Sequence, residues 1–251
     1  MADGSPHQAR GGLSTTTSAP LDAYHLQLDG HAWTIMHLGT LISFNAEQQY
    51  LSEKERTLFG LSLWPAAIAL AHDLAARGAS LRGKRIIELG AGTGLPGIVA
   101  ATYGARVVQS DRQEDALKIC RANGALNRAA GIEYRVADWA TWDDATQYDF
   151  VIGADILYSD KSHAHLRHIF DTNLAPGGRL LIGDPFRSRS YTLLEAMEAD
   201  GWKVTITKWT VSDDEEIRPI GVFDVTPPEP SSLATERSER AMGPSPPAPG
   251  E

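Results

Sequence analysis

The stretch IIELGAGTGLPGIVAA, Ile86 to Ala101, constrains this chain more than any other. An apolar run interrupted by one acid, a cluster of glycines and a second apolar run read as a strand, a tight turn and a helix. Glycine permits positive φ and lets main-chain N–H groups approach a ligand closely, and the helix that follows brings its positive end to the same place. The glycines fall in two registers. From Gly92 they spell G-x-G-x-x-G through Gly94 and Gly97; from Gly90 they spell E-x-G-x-G-x-G, with Glu88 two residues ahead.

Strands and helices alternate around this turn. The hairpin signal YHLQLDGHAWTIMHL, two alternating runs about Asp29-Gly30, comes first. A helix follows over SLWPAAIALAHDLAARG, with Pro65 in its first turn and Gly78 past its end. Strands are then predicted over 85–89, 107–110, 133–137, 150–156 and 179–183, and helices over 96–103, 114–129, 164–172 and 191–199. Two strands without an intervening helix, 203–209 and 221–226, close the unit and should pair antiparallel. Such alternation implies right-handed crossovers and a mostly parallel sheet covered on both faces, with ligands bound beyond the carboxyl ends of the strands where the order reverses. One folded domain is expected over 21–225. The Ser/Thr/Gly/Pro stretch 1–20 and the Pro- and Glu-rich stretch 226–251 read as disordered tails.

Composition narrows the classes. The 251 residues are 42% apolar and 22% charged, ordinary for a globular protein, and the net charge of -9 argues against a nucleic-acid partner. The single cysteine, Cys120, excludes an intramolecular disulfide and a Cys-x-x-Cys zinc site, and it reads as a small apolar residue on a helix. There is no apolar run long enough to span a bilayer, and the first twenty residues lack the apolar core of a secretory signal. The expected setting is a reducing cytoplasm, with no membrane partner.

The residues just after each strand are the candidate site. Glu88 at the end of the first parallel strand would repel a pyrophosphate but suits a ligand carrying an ammonium, which favours the methionine portion of S-adenosylmethionine over a dinucleotide. Packing alone could also explain the glycines. Asp111 ends the second strand, positioned to accept two ribose hydroxyls with either cofactor. Asp138 and Trp139 follow the third, an acceptor for an adenine amino group beside an aromatic body; Trp139 also fits a core edge. GADILYSD follows the fourth, so Asp155 could orient a substrate ammonium and Tyr158 flank the cation, although Asp155 also suits a helix cap. GDPFR follows the fifth, and Asp184 and Arg187 could line the same cleft or simply form a turn.

With these positions assembled, the chain resembles the seven-β-strand (class I) S-adenosylmethionine-dependent methyltransferases across nearly all of 21–225. LWPAA, ELGAGTGLPG, ADW and DILY together are similar to the protein lysine methyltransferase branch, which carries a D-x-x-Y-type motif after the fourth strand. GDPFR and NGALN, Asn123 to Asn127, further resemble members related to the electron-transfer-flavoprotein beta-subunit lysine methyltransferase, including bacterial proteins sometimes labelled nicotinamide N-methyltransferases. Those relatives often have Gly after Asp-Pro, where this chain has Phe186. The resemblance implies a Rossmann-like sheet with its last strand antiparallel and an N-terminal hairpin. It implies that Glu88, Gly90 and Gly92 hold the methionine end of S-adenosylmethionine, Asp111 the ribose, and Asp138 with Trp139 the adenine. Trp64 would lie over the cofactor, and Asp155 and Tyr158 would form the catalytic, substrate-facing side, with a protein lysine as acceptor.

Three other readings remain at this point. A small-molecule N- or O-methyltransferase acting on a nicotinamide-like amine uses the same fold, and so does a non-catalytic cofactor-binding module. An oxidoreductase would need the strand to stop before Gly92 and leaves Trp64 and D-I-L-Y unexplained. The acidic run Asp213 to Glu216 would attract a basic protein surface, or is merely a solvated charge run. No metal is expected, because of His163, His165 and His168 only the last two share a helical face and no further ligand is fixed beside them.

Overall fold

The computed structural model describes residues 21–38, 59–212 and 217–229. The expected tails, apart from 226–229, and the acidic run 213–216 lie outside these residues. β1 (Leu21–Leu28) and β2 (His31–Leu38) form an antiparallel hairpin in unbroken register. Both turn residues take positive φ, Asp29 at 48° and Gly30 at 79°, as a two-residue hairpin turn with the strands' own twist requires.

The chain then runs through helix α1 (Pro65–Arg77), β3 (Arg85–Leu89), α2 (Leu95–Thr102), β4 (Arg106–Asp111), α3 (Glu114–Leu126) and β5 (Ile132–Val136). The second half comprises β6 (Tyr148–Ala154), α4 (Asp160–Asn173), β7 (Leu174–Asp184), α5 (Ser188–Ala199), β8 (Lys203–Ser212) and β9 (Ile217–Thr226). These strands make one sheet in the order β5-β4-β3-β6-β7-β9-β8. β5, β4, β3, β6 and β7 are parallel neighbours, and β9 alone is reversed, inserted antiparallel between β7 and β8. The order reverses between β3 and β6, so the cleft expected of such a sheet opens beyond their carboxyl ends.

Strand pleating distributes the core. Ile86, Val107, Ile152 and Leu181 point to the face covered by α1 and α2, while Ile87, Val151, Leu180 and Ile182 point to the face covered by α4 and α5. Among the described residues no helix is long and apolar enough to cross a membrane.

The element ends differ from the sequence reading where side chains intervene. β6 ends at Ala154, short of the expected Ile156, because Asp155 turns left-handed at φ 54° and its N–H donates to Gly183 O at 2.7 Å. α4 begins at Asp160, one turn earlier than the apolar spacing indicated, since its first turn is solvated and carries no periodic signal.

NGALN acquires a structural meaning. Asn123 and Asn127, one turn apart on α3, line up with the outer edge of β2. Asn123 Oδ1 accepts from Met36 N (2.8 Å) and its Nδ2 donates to Met36 O (3.0 Å); Asn127 does the same with Thr34 N (2.8 Å) and Thr34 O (2.7 Å). Two side-chain amides thus replace a missing strand and close an edge that would otherwise expose paired donors and acceptors. Asn123, fully buried, also donates to Thr93 O at 2.9 Å, tying the hairpin to the glycine turn. Asn123→Ala should therefore lower the unfolding free energy by about 2–3 kcal/mol, the loss expected when buried polar groups are stranded, and speed amide exchange at Met36. Urea denaturation and hydrogen exchange check both.

Candidate active site

The parallel strands end at a cleft of about 730 Å³, within the range that holds a cofactor-sized ligand. Its floor is the glycine turn. Gly90, Gly92 and Gly94 all have positive φ (62°, 53° and 82°), which only glycine adopts readily three times in five residues. A Cβ on Gly90 would stand 3.4 Å from Trp139 Cζ2 and 3.3 Å from Ile156 Cγ2, and one on Gly92 3.2 Å from Gly60 O. The main chain therefore lines the cleft with no side chain in the way.

Glu88 and Gln109 are directly paired across β3 and β4, and both point under α2. Gln109 Nε2 donates to Glu88 Oε2 at 2.6 Å and to Gly94 O at 2.8 Å, Gly97 N donates to the same Glu88 oxygen at 3.1 Å, and Cys120 Sγ donates to Gln109 Oε1 at 3.0 Å. A Cβ at Gly97 would come 2.5 Å from Glu88 Oε2, so this glycine is a packing requirement that the ligand-directed reading did not separate out. Burial pushes Glu88 up to about 8, against the pull of the Gln109 and Gly97 hydrogen bonds and with a smaller upward push from Asp111. Asp111 is also buried and raised by desolvation; its oxygens accept from Gly92 N (3.1 Å) and Gln113 N (2.9 Å). Neither acid forms an ion pair among the described residues, although both line the cleft.

The other sequence-predicted residues come to the same cleft. Asp138 is exposed and caps the short 3-10 turn Trp139–Thr141, accepting from Ala140 N at 2.9 Å. Trp139 is half-buried against the α4–α5 core face and also stands beside Gly90 at the cleft. Trp64, preceding Pro65, stacks on Phe59 at 5.2 Å with an interplanar angle of 2° and donates to Phe59 O at 3.1 Å. Phe59 carried no signal in the sequence.

On the opposite side lie Asp155 and Tyr158. Asp155 lines the cleft with both carboxylate oxygens already engaged. Arg187 grips it bidentately, Nε to Oδ1 and Nη2 to Oδ2, both at 2.6 Å. Asp155 does not cap the next helix. Asp184 performs that kind of duty for α5: it accepts from Arg187 N at 2.8 Å and from Ser190 Oγ at 2.5 Å, and burial pushes it up to about 6. Between them Phe186 sits at φ 61°, a conformation that explains why glycine is at home after Asp-Pro. Its ring lies edge-on to Phe223 at 6.0 Å. His163 Nε2 is engaged with Leu157 O at 3.1 Å, and no cluster of three or more metal-ligating side chains occurs among the described residues.

A family model described as "Lysine methyltransferase" matches residues 44–195. The chain is 34% identical over 142 residues to Protein N-lysine methyltransferase METTL21A of Xenopus tropicalis, covering 54% of this chain and 66% of that protein. It is 35% identical over 109 residues to Histone-arginine methyltransferase METTL23 of Xenopus laevis, covering 41% and 47%. It thus spans about half to two thirds of the length of these curated relatives. The fold superposes on precorrin-6y C5,15-methyltransferase from Geobacter metallireducens GS-15 with a TM-score of 0.53 at 17% identity, over 64% of this chain and 87% of that one. Magnesium protoporphyrin IX methyltransferase (ChlM) from Synechocystis PCC 6803, solved with bound SAM, gives 0.51 at 19%, over 63% and 77%. These structural likenesses concern the fold.

The raised Glu88 predicts a pH dependence. A carboxyl that binds its proton more tightly when folded contributes stability below its unfolded value of 4.5, and that contribution is lost as pH rises toward 8. Glu88→Gln should remove this slope: its unfolding free energy should exceed that of wild type at pH 8, by on the order of 3 kcal/mol, and match it near pH 4.5. Denaturant titrations across that window check the prediction.

Proposed function

The chain belongs to the lysine methyltransferase family, and from that premise we propose that it binds S-adenosylmethionine in the cleft and transfers a methyl group to a lysine side chain of a protein. The observation that carries this reading is the pair of buried cleft acids, Glu88 and Asp111, with no ion-pair partner among the described residues. A ligand bringing an ammonium to Glu88 and two hydroxyls to Asp111 satisfies both. A dinucleotide would set its pyrophosphate against Glu88. When bound, S-adenosylmethionine supplies a methyl group already activated on a sulfonium, which leaves the protein to align the acceptor and exclude water.

In this reading Glu88 gives up its proton and accepts hydrogen bonds from the incoming ammonium. Gly90 and Gly92 allow close main-chain approach, and Asp111 accepts from the ribose. Asp138 and Trp139 take the adenine edge and face, and Trp64, braced by Phe59, covers the cleft from the start of α1. On the acceptor side, Asp155 orients the amine through a lone pair that Arg187 leaves open, and the Tyr158 ring flanks the reacting nitrogen. The protein acceptor is supported by the relatives: METTL21A is named a protein N-lysine methyltransferase and METTL23 a histone-arginine methyltransferase.

Calorimetric titration with S-adenosylmethionine and with NAD should give binding of the first only, weakened about 30-fold or more by Asp111→Ala, since two charge-assisted hydrogen bonds are lost. Incubation of a cell lysate with tritiated S-adenosylmethionine, followed by acid hydrolysis of the protein fraction, should then yield labelled methyl-lysine. Label confined to small molecules would favour a small-molecule acceptor, label in methyl-arginine would move the acceptor, and NAD binding would overturn the cofactor.

A further inference from the structure

Asp155 and Arg187 come from the ends of different strands, β6 and β7, and meet in a two-bond pair that is neither superficial nor loosely held. The Asp155 side chain is 3% exposed and that of Arg187 27%. Asp155 is locked by its left-handed backbone and its N–H bond to Gly183 O. Arg187 is locked by its own N–H, which donates to the buried Asp184. Both line the cleft.

The pair bears on the hardest step of amine methylation. A lysine ammonium has no lone pair, its ordinary pKa is near 10.4, and an isolated carboxylate beside it would favour the charged, unreactive form. A carboxylate already forked to a guanidinium adds little net charge to its surroundings, yet keeps lone pairs for orienting an N–H.

We propose that Arg187 is a positioning residue acting through Asp155: by cancelling that carboxylate's charge it keeps the acceptor side of the cleft net positive, so that an amine delivered there is held as the neutral nucleophile. The inference rests on the methyl-transfer reading above. The ammonium proton leaves to water, the lone pair it frees forms the new N–C bond as the donor C–S bond breaks, and the sulfur keeps that electron pair as a neutral thioether.

Basic side chains flank the pair. From α4, Lys161 and His165 line the cleft beyond Tyr158, and from α5 Arg189 does so; Lys161 and Arg189 form no ion pair among the described residues. The nearest further acid, Asp184, is turned away into bonds with Ser190 Oγ and Arg187 N, which occupy its two carboxyl oxygens. Glu88 and Asp111 stand at the ends of β3 and β4, on the side read as binding the cofactor.

The test uses two probes that need no known acceptor. S-adenosylhomocysteine lacks the transferable methyl, and sinefungin carries a CH–NH2 group where S-adenosylmethionine has S–CH3, which sets a titratable amine toward Asp155. Calorimetric Kd values for both, from pH 6 to 9, give a ratio that isolates the amine. Relative to wild type at pH 7, Arg187→Gln should favour sinefungin by about tenfold, since a bare carboxylate welcomes the ammonium, and move the pH dependence up by about one unit. Asp155→Asn should disfavour sinefungin by a similar factor, and the double variant Asp155→Asn/Arg187→Gln should return close to wild type. Arg187→Lys, which keeps the charge, should stay within about twofold. Binding of S-adenosylhomocysteine serves as the fold control for each variant, and if Arg187→Gln fails it, the opposite sign in Asp155→Asn and the return in the double variant still decide. An unchanged ratio in the variants that bind S-adenosylhomocysteine, or a shift of one sign in all of them, would overturn the inference. Failure of wild type to bind S-adenosylhomocysteine would instead sink the methyltransferase reading beneath it.

Discussion

A carboxyl group buried beneath a glycine turn organises this structure. Glu88 leaves β3 on the face covered by α2, and one of its oxygens holds both the N–H of Gly97 inside that helix and the amide of Gln109 on the neighbouring strand. Gln109 in turn reaches Gly94 O, so strand, adjacent strand, turn and helix meet at one acid. No Cβ is tolerated at Gly94 or Gly97 because Cys120, Gln109 and Glu88 already fill that space. The arrangement is unfavourable for an isolated protein, since an acid with no cation is held out of water. Burial keeps the proton on this acid near pH 7 at a cost in stability, and a ligand that brings an ammonium to it would offset that cost.

The two flanks of the cleft are secured in the same manner, by buried polar side chains that satisfy main-chain groups. Asn123 joins the hairpin edge to Thr93 of the turn, while Asp184 joins the end of β7 to the start of α5 and thereby sets where Arg187 points. These contacts carry no cofactor atoms, yet they determine which functional groups face the cleft. Phe186, at positive φ between Asp184 and Arg187, is retained against backbone preference by its packing on Phe223. This flank of the cleft is therefore a fixed constellation.

Much of this was legible in the sequence, because strand ends in a parallel sheet are marked by where an apolar run stops. Glu88, Asp111, Asp138, Asp155, Gly90 and Gly92 were found that way, and all of them border one cleft. The hairpin was marked by Asp29-Gly30. What the pattern could not give was pairing between distant segments. Nothing in GDPFR says that its arginine will close on an aspartate from the preceding strand, nor does NGALN announce that two asparagines will imitate a strand. Gln109 carried a weak signal, a polar residue inside RVVQSD, which gains meaning only once β4 is known to lie in register beside β3. Phe59 gave none, since its role depends on how the chain returns to Trp64.

The most direct test of the account is to count protons when S-adenosylhomocysteine binds. Calorimetry at pH 7 in two buffers of different ionisation enthalpy gives that number. If Glu88, held up near 8 by burial, is the seat of the ligand's ammonium, binding should release close to one proton in wild type and almost none in Glu88→Gln. Binding without proton release, or with the same release in both proteins, would contradict the assignment of the buried acid on which the site is built.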